Sequence, residues 1–324
     1  MALKSSPTWG AQYPYISNLE MKQLSKITPW RTTAALVFDW SAIFISAWAA
    51  QESGAWWAYA CAIVVIAGRM HALAGLVHDF AHYHYIKNKK RSDLIGNIFA
   101  AWPLLITVES YRNNHLAHHR HTNLDKDPDW QAKLGVKKFT FPMAPGAAIR
   151  LFLSYFVGIG ALDDMRSALK RIHVAADKPA LTEKLLRIGF YSLVVGAITA
   201  LGLWQQVLFF WVLPFFTLFF FFMYVRSVAE HFGSSMDHGH ELGASRTVLP
   251  AWWEGWLFSP HNLNYHLDHH LYPTVPFYRL KALHKALMTN PNYASQAHIT
   301  HGYMRGLLGE LGVIKPSQHP LPAQ

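Results

Sequence analysis

A single cysteine, Cys61, stands in a chain of 324 residues, and it lies inside an apolar run. Its isolation excludes a disulfide framework, a Cys-x-x-Cys redox motif and a built-in iron–sulfur or rubredoxin-like domain. Any electrons the protein uses must therefore come from elsewhere. Acidic residues are also scarce, with 19 Asp and Glu against 29 Lys and Arg and a formal charge of +10. A basic chain can bind nucleic acid, but here Lys and Arg are not interleaved with stacking aromatics in a recognisable motif, so no nucleic-acid partner is expected. Residues 1–33 lack a short apolar core closed by a small-residue cleavage site, which argues against a signal peptide. No repeat, low-complexity tract or linker marks a second domain, and residues 1–324 read as one domain.

Apolar and aromatic residues are abundant instead: 52% of the chain is apolar, with 13 Trp and 20 Phe, more than an ordinary soluble protein carries. Runs 34–50 and 55–76 flank the short break Gln51-Glu-Ser-Gly54, and each is about long enough to cross a bilayer as a helix. The break makes them a hairpin. Trp48, Trp56 and Trp57 crowd its tip like an aromatic belt. Runs 186–204 and 207–225, joined by Gln205-Gln206, predict a second hairpin with a kink at Pro214. The expected fold is an all-α integral membrane protein of four spans with a histidine-rich cap. Leu94 to Thr107 is short and contains Pro103, so it reads as re-entrant or interfacial, and Leu151 to Leu162 reads as lying on the membrane surface. Both hairpin tips lack Lys and Arg, whereas Lys87, Lys89, Lys90, Arg91, Lys178, Lys184 and Arg226 flank the other helix ends. By the positive-inside rule that face is cytoplasmic. Two charges, Asp39 and Arg69, fall within the first hairpin at depths that differ by only about 6 Å, which predicts an ion pair.

Histidines concentrate in three patches: His78 and His82; His115, His118 and His119; His266, His269 and His270. On a helix, residues three and four apart share a face, so the imidazoles of each patch can aim at one point. Neutral imidazole ligates zinc, iron and copper. Eight such ligands are too many for one ion and suit two. Carboxylates beside histidines, such as Asp79, Asp268 and, next to His231, Glu230, could orient the rings. Histidine count does not choose the metal, because two tetrahedral zinc sites would also use eight nitrogens. A zinc-dependent membrane hydrolase and a histidine-rich metal carrier therefore both stay open at this point. His71, His173, His284, His298, His301 and His319 are isolated and read as ordinary residues, while His84, His121 and His261 flank the patches.

The patches have the forms H-x3/4-H, H-x2/3-H-H and H/Q-x2/3-H-H. Together with Val228-Ala-Glu-His231-Phe232 and the run from Asn264 to Pro276, they resemble the membrane-bound fatty-acid desaturase and hydroxylase family over roughly residues 33 to 285. The resemblance implies a non-haem centre of two iron ions, O2 as co-substrate, and oxidation of an unactivated C–H bond in a fatty-acyl or other lipid-like substrate, by desaturation or hydroxylation. Carotenoid hydroxylases or ketolases and alkane monooxygenases are alternative readings. The implied ligands are His78, His82, His115, His118, His119, His266, His269 and His270. His231 is expected as a ninth, because it follows the fourth apolar run as His78 follows the second. His238 and His240 lie in a Gly- and Ser-rich stretch and are expected to be dispensable. The electron donor is expected to be a separate ferredoxin-type or cytochrome protein, docked by Lys87, Lys89, Lys90, Arg91, Lys137, Lys138, Lys170 and Arg171.

Overall fold

The computed structural model describes residues 15–175, 180–237 and 239–315, with the backbone alone for 168–175. The chain divides into two compact units, one formed by Thr28–Asn113 and Ser154–Met223, the other by the described parts of Met1–Ile27, Asn114–Leu153 and Tyr224–Gln324.

The first unit opens with α1 (Pro29–Ser53) and α2 (Trp56–Ala81). Pro29 sits in the first turn of α1, where its missing N–H costs nothing. Gly54 ends the helix at φ +62°, its N–H donating to the Ala50 carbonyl at 3.0 Å. That left-handed residue reverses the chain into α2 almost at once. Thr32, Leu36, Asp39, Ile43 and Ala50 form one buried stripe of α1 at helical spacing. Phe38, Phe44, Ile45 and Trp48 point outward and are each more than half exposed. An apolar outer face over a buried polar residue is the pattern of a lipid-facing helix. Within the stripe Asp39 accepts a hydrogen bond from Arg69 Nη1 at 3.0 Å, so the expected ion pair forms, almost wholly buried.

Further helices follow: α3 (Val108–His121), α4 (Leu181–Ala200) and α5 (Trp204–His231). Among the described residues α1, α2 and α5 are long and apolar enough to cross a membrane. Two bent pairs, Lys89–Leu104 with Val108–His121 at 89° and Pro145–Phe156 with Ile159–Ser167 at 83°, would raise the number from 3 to 5. The first bend falls on the segment read from sequence as re-entrant.

The second hairpin differs from its sequence reading in two respects. α4 covers most of run 186–204, but Glu183, Lys184 and Arg187 occupy its first two turns. Its uncharged part, Ile188 to Ala200, rises only about 20 Å against about 30 Å of hydrocarbon. The turn before α5 lies at residues 201–203, where Gly202 takes φ +68°, while Gln205 and Gln206 already belong to α5. The left-handed glycine, not the paired glutamines, sets the reversal. Pro214 separates two π-helical segments, Leu208–Val212 and Phe215–Phe219, as expected where a proline removes a donor from the helical ladder.

In the second unit α6 (His266–Leu271) places Leu267 and Leu271, one turn apart, in an apolar core with Leu242, Tyr272, Leu280 and Leu283. His266, His269 and His270 are thereby left for a different side. The unit also holds two short strands that the all-α reading did not foresee. β1 (Thr247–Leu249) pairs in parallel with β2 (Ile299–His301), Thr247 opposite Ile299. The Val248 N–H donates to the Asn264 carbonyl at 3.0 Å, tying β1 to the loop that leads into α6.

Candidate metal centre

Within the second unit the C-terminal ends of α3 and α5 and the helix α6 converge on one point. His118 comes from the last turn of α3, His231 is the final residue of α5, and His266 and His270 lie one turn apart on α6. Their Nε2 atoms form a chain, His118 to His231 at 3.1 Å, His231 to His266 at 2.9 Å and His266 to His270 at 2.9 Å. All four ligand atoms lie within 4.8 Å of one another.

The back of each ring explains why the Nε2 atoms can face each other. His118 Nδ1 meets Asp127 Oδ2 at 2.7 Å, His231 Nδ1 the Ala244 carbonyl at 3.3 Å, and His266 Nδ1 Glu230 Oε1 at 3.4 Å. His270 Nδ1 lies 3.1 Å from Thr122 Oγ1, whose own proton goes to the His118 carbonyl at 3.1 Å. With an acceptor behind every Nδ1, the ring proton belongs there and the Nε2 lone pairs point inward. Burial, followed by the neighbouring His270 and His231, also pushes His266 well below the usual histidine range, so its ring is neutral. Four lone pairs, each about 3 Å from the next, repel unless a cation lies among them. Nitrogens so spaced suit a divalent transition metal bound at about 2.0–2.1 Å. The donor set fits a metal.

A second group stands beside the first on the same helices. His119 Nε2 lies 2.9 Å from His115 Nε2 and 3.0 Å from His269 Nε2. His115 and His119 are one turn apart on α3, so they share a side of the helix. His78 and His82 belong to the other unit, at the C-terminal end of α2, with ring centroids 4.9 Å apart.

The carboxylates sort differently from their sequence reading. Glu230 does face a ring of the four-histidine group, that of His266. Asp79 instead meets His84 Nδ1 at 2.9 Å, and Asp268 meets His284 Nδ1 at 3.0 Å. Asp127, which spacing did not single out, holds His118 and is itself fixed as the cap of a short helix, accepting from the N–H groups of Asn123, Asp129 and Trp130. Its sequence signal was the Asp127-Pro128 start of that helix. His240 is exposed, and its Nδ1 accepts from the Leu242 N–H at 3.3 Å. His238 lies outside the described residues, as do the side chains of Lys170 and Arg171.

Comparison with known proteins decides the family. The fatty acid desaturase family model matches residues 54–302. The chain belongs to the fatty acid desaturase family. It is 28% identical over 314 residues to the dihydrorhizobitoxine desaturase of Bradyrhizobium elkanii, an alignment covering 90% of this chain and 86% of that protein. Identity is 28% over 233 residues to the chloroplastic omega-6 fatty acid desaturase of Spinacia oleracea, covering 66% of this chain and 49% of the plant protein. To the sn-1 oleoyl-lipid 12-desaturase of Anabaena variabilis it is 25% over 229 residues, covering 66% and 64%. The chain thus spans only about half the length of the plant relative. Family membership and the apolar helices make this desaturase-family chain a membrane oxidoreductase.

Proposed function

We propose that the protein is an oxygen-dependent desaturase that holds two non-haem iron ions and acts on a lipid-like substrate. The observation that carries this reading is the inward convergence of four Nε2 atoms, each ring braced from behind at Nδ1. His118, His231, His266 and His270 would hold one ion. His115, His119 and His269, joined by His78 and His82 from the sequence pattern, would hold the other. When bound, the irons supply the oxygen activation needed to remove hydrogen from an unactivated C–H bond. In desaturation two hydrogens leave adjacent carbons, a C=C bond forms, and O2 is reduced to two waters with two electrons and two protons from a donor. With one cysteine the described chain offers no iron–sulfur relay, so a separate ferredoxin-type or cytochrome donor supplies the electrons.

The protein's own part is placement. Asp127, Glu230, Thr122 and the Ala244 carbonyl fix ring orientation and tautomer, so the ligands are set before any ion arrives. Apolar helices would deliver an acyl chain from the bilayer, and the charge pattern supports a cytoplasmic side for the histidines.

Two substrate classes have support. The relatives matched over two thirds of the chain are named for omega-6 fatty acids and oleoyl lipids, whereas the one matched over 90% is named for dihydrorhizobitoxine. Mass spectrometry of lipids and small amphiphiles from cells expressing the chain tests both. The expected result is an oxygen-dependent product lacking two hydrogens, absent when His231 is replaced by Ala. A product formed without oxygen, as a zinc hydrolase would give, overturns the reading.

A further inference from the structure

We propose that Arg246 is the positioning residue for His231 and, through it, for the four-histidine site. The inference rests on the metal reading above and deepens it. His231 is the last residue of α5, so this ligand rides on a turn whose final carbonyls have no partner within the helix. Arg246 supplies the partners. Its side chain is fully buried; Nη1 donates to the Ala229 carbonyl at 2.8 Å and Nη2 to the Phe232 carbonyl at 3.1 Å. Its backbone N–H donates to the Glu230 carbonyl at 3.0 Å, and two residues earlier the Ala244 carbonyl faces His231 Nδ1 at 3.3 Å. Residues 244–246 therefore grip every residue from Ala229 to Phe232.

Charge shows that this is placement rather than assistance to metal binding. A guanidinium close to a site for divalent cations repels them, and burying it adds a desolvation cost. The carbonyls at the negative end of α5 and the Glu310 carboxylate offset that cost. Glu310 Oε2 accepts from Arg246 Nε at 3.1 Å and meets His298 Nε2 at 2.8 Å, while Oε1 accepts from the Thr300 hydroxyl of β2. The same device recurs in the other unit. Arg112 donates from Nε to the Ala81 carbonyl at 2.8 Å and from Nη2 to the Phe80 carbonyl at 3.2 Å, at the end of the helix that carries His78 and His82, and Asp93 holds its Nη1 at 3.0 Å.

The test uses the full chain in detergent, stripped of metal by a chelator and titrated anaerobically with cobalt(II), with binding followed by ligand-field absorption. Wild type should bind two ions. Arg246→Gln should weaken one of them by about 10–100-fold and leave the other unchanged. Glu310→Gln, which leaves the guanidinium in place but frees it to rotate, should weaken that same ion by a smaller factor. A merely structural role would weaken both ions together. Equal weakening of both, or of neither, overturns the inference. Should Arg246→Gln fail to fold, Glu310→Gln decides by the same criterion. Wild-type protein that binds no cobalt overturns the metal reading instead.

Discussion

Replacing Asp39 by Asn strands the charge of Arg69 in the interior of the first hairpin, and the structure sets the size of the penalty. With both groups almost wholly buried and 3.0 Å apart, their attraction is about 5–6 kcal/mol at an effective dielectric near 20. Desolvation of the two charges cancels much of that attraction, so the intact pair adds little net stability. A single partner removed from a buried pair, however, typically costs about 3–5 kcal/mol. Asp39→Asn should therefore shift the folding equilibrium by roughly two to four powers of ten. Replacing both residues, Asp39→Leu with Arg69→Met, should be near neutral or stabilising, because no charge is then left without its counterpart. Exchanging them, Asp39→Arg with Arg69→Asp, should recover part of the single-variant loss. Reversible unfolding in mixed micelles of wild type, Asp39→Leu, Arg69→Met and the Asp39→Leu with Arg69→Met variant forms a double-mutant cycle. Losses that add to within about 0.3–0.5 kcal/mol would show that the two charges are independent, and the reasoning would fail.

Further outcomes follow from the centre and its supports. Asp127→Asn should lower metal affinity by about 10–100-fold, read by competition with a chelator, because His118 loses the carboxylate that fixes its tautomer; unchanged affinity would count against that role. Burial works against ionisation of Glu310, but the hydrogen bond from His298, the charge of Arg246 and the Thr300 hydroxyl hold its carboxyl down at about 2, below its ordinary 4.5. A depressed carboxyl contributes stability that is complete above about pH 4.5 and is lost as pH falls towards 2. The stability gap between wild type and Glu310→Gln should close over that window, and a gap that widened on acidification would refute the assignment. Turnover with a reconstituted acidic donor should slow as salt rises, since Lys87, Lys89, Lys90, Arg91 and Lys137 are exposed; a salt-independent rate would reject docking by these charges.

The parts that proved legible in the sequence are those governed by short-range periodicity. Four-residue spacing put His115 with His119 and His266 with His270 on shared sides of single helices, and the similar depths of Asp39 and Arg69 in the first hairpin predicted their ion pair. His231, a histidine closing an apolar helix, stands out by analogy with His78, and the structure brings its ring beside those of His118 and His266. What escaped notice depends on partners distant in the chain or on backbone atoms. Arg246 does its work through the carbonyls of residues 229 and 232, which carry no side-chain signature. Asp127 lies nine residues past His118, too far for helical spacing, and announces only its role as a cap. Asp268 misled because sequence adjacency to His269 says nothing of direction: on α6 it faces His284 and Thr247. The second hairpin was misplaced because two glutamines look like a polar tip, whereas a left-handed glycine three residues earlier makes the turn.

Iron bound per chain, measured after anaerobic reconstitution of the purified protein, tests the central claim most directly. Two irons per chain are expected in the wild type and in His240→Ala, with less iron and no oxidation of substrate in His231→Ala. One iron or none in the wild type, or full iron content and activity in His231→Ala, would contradict the account.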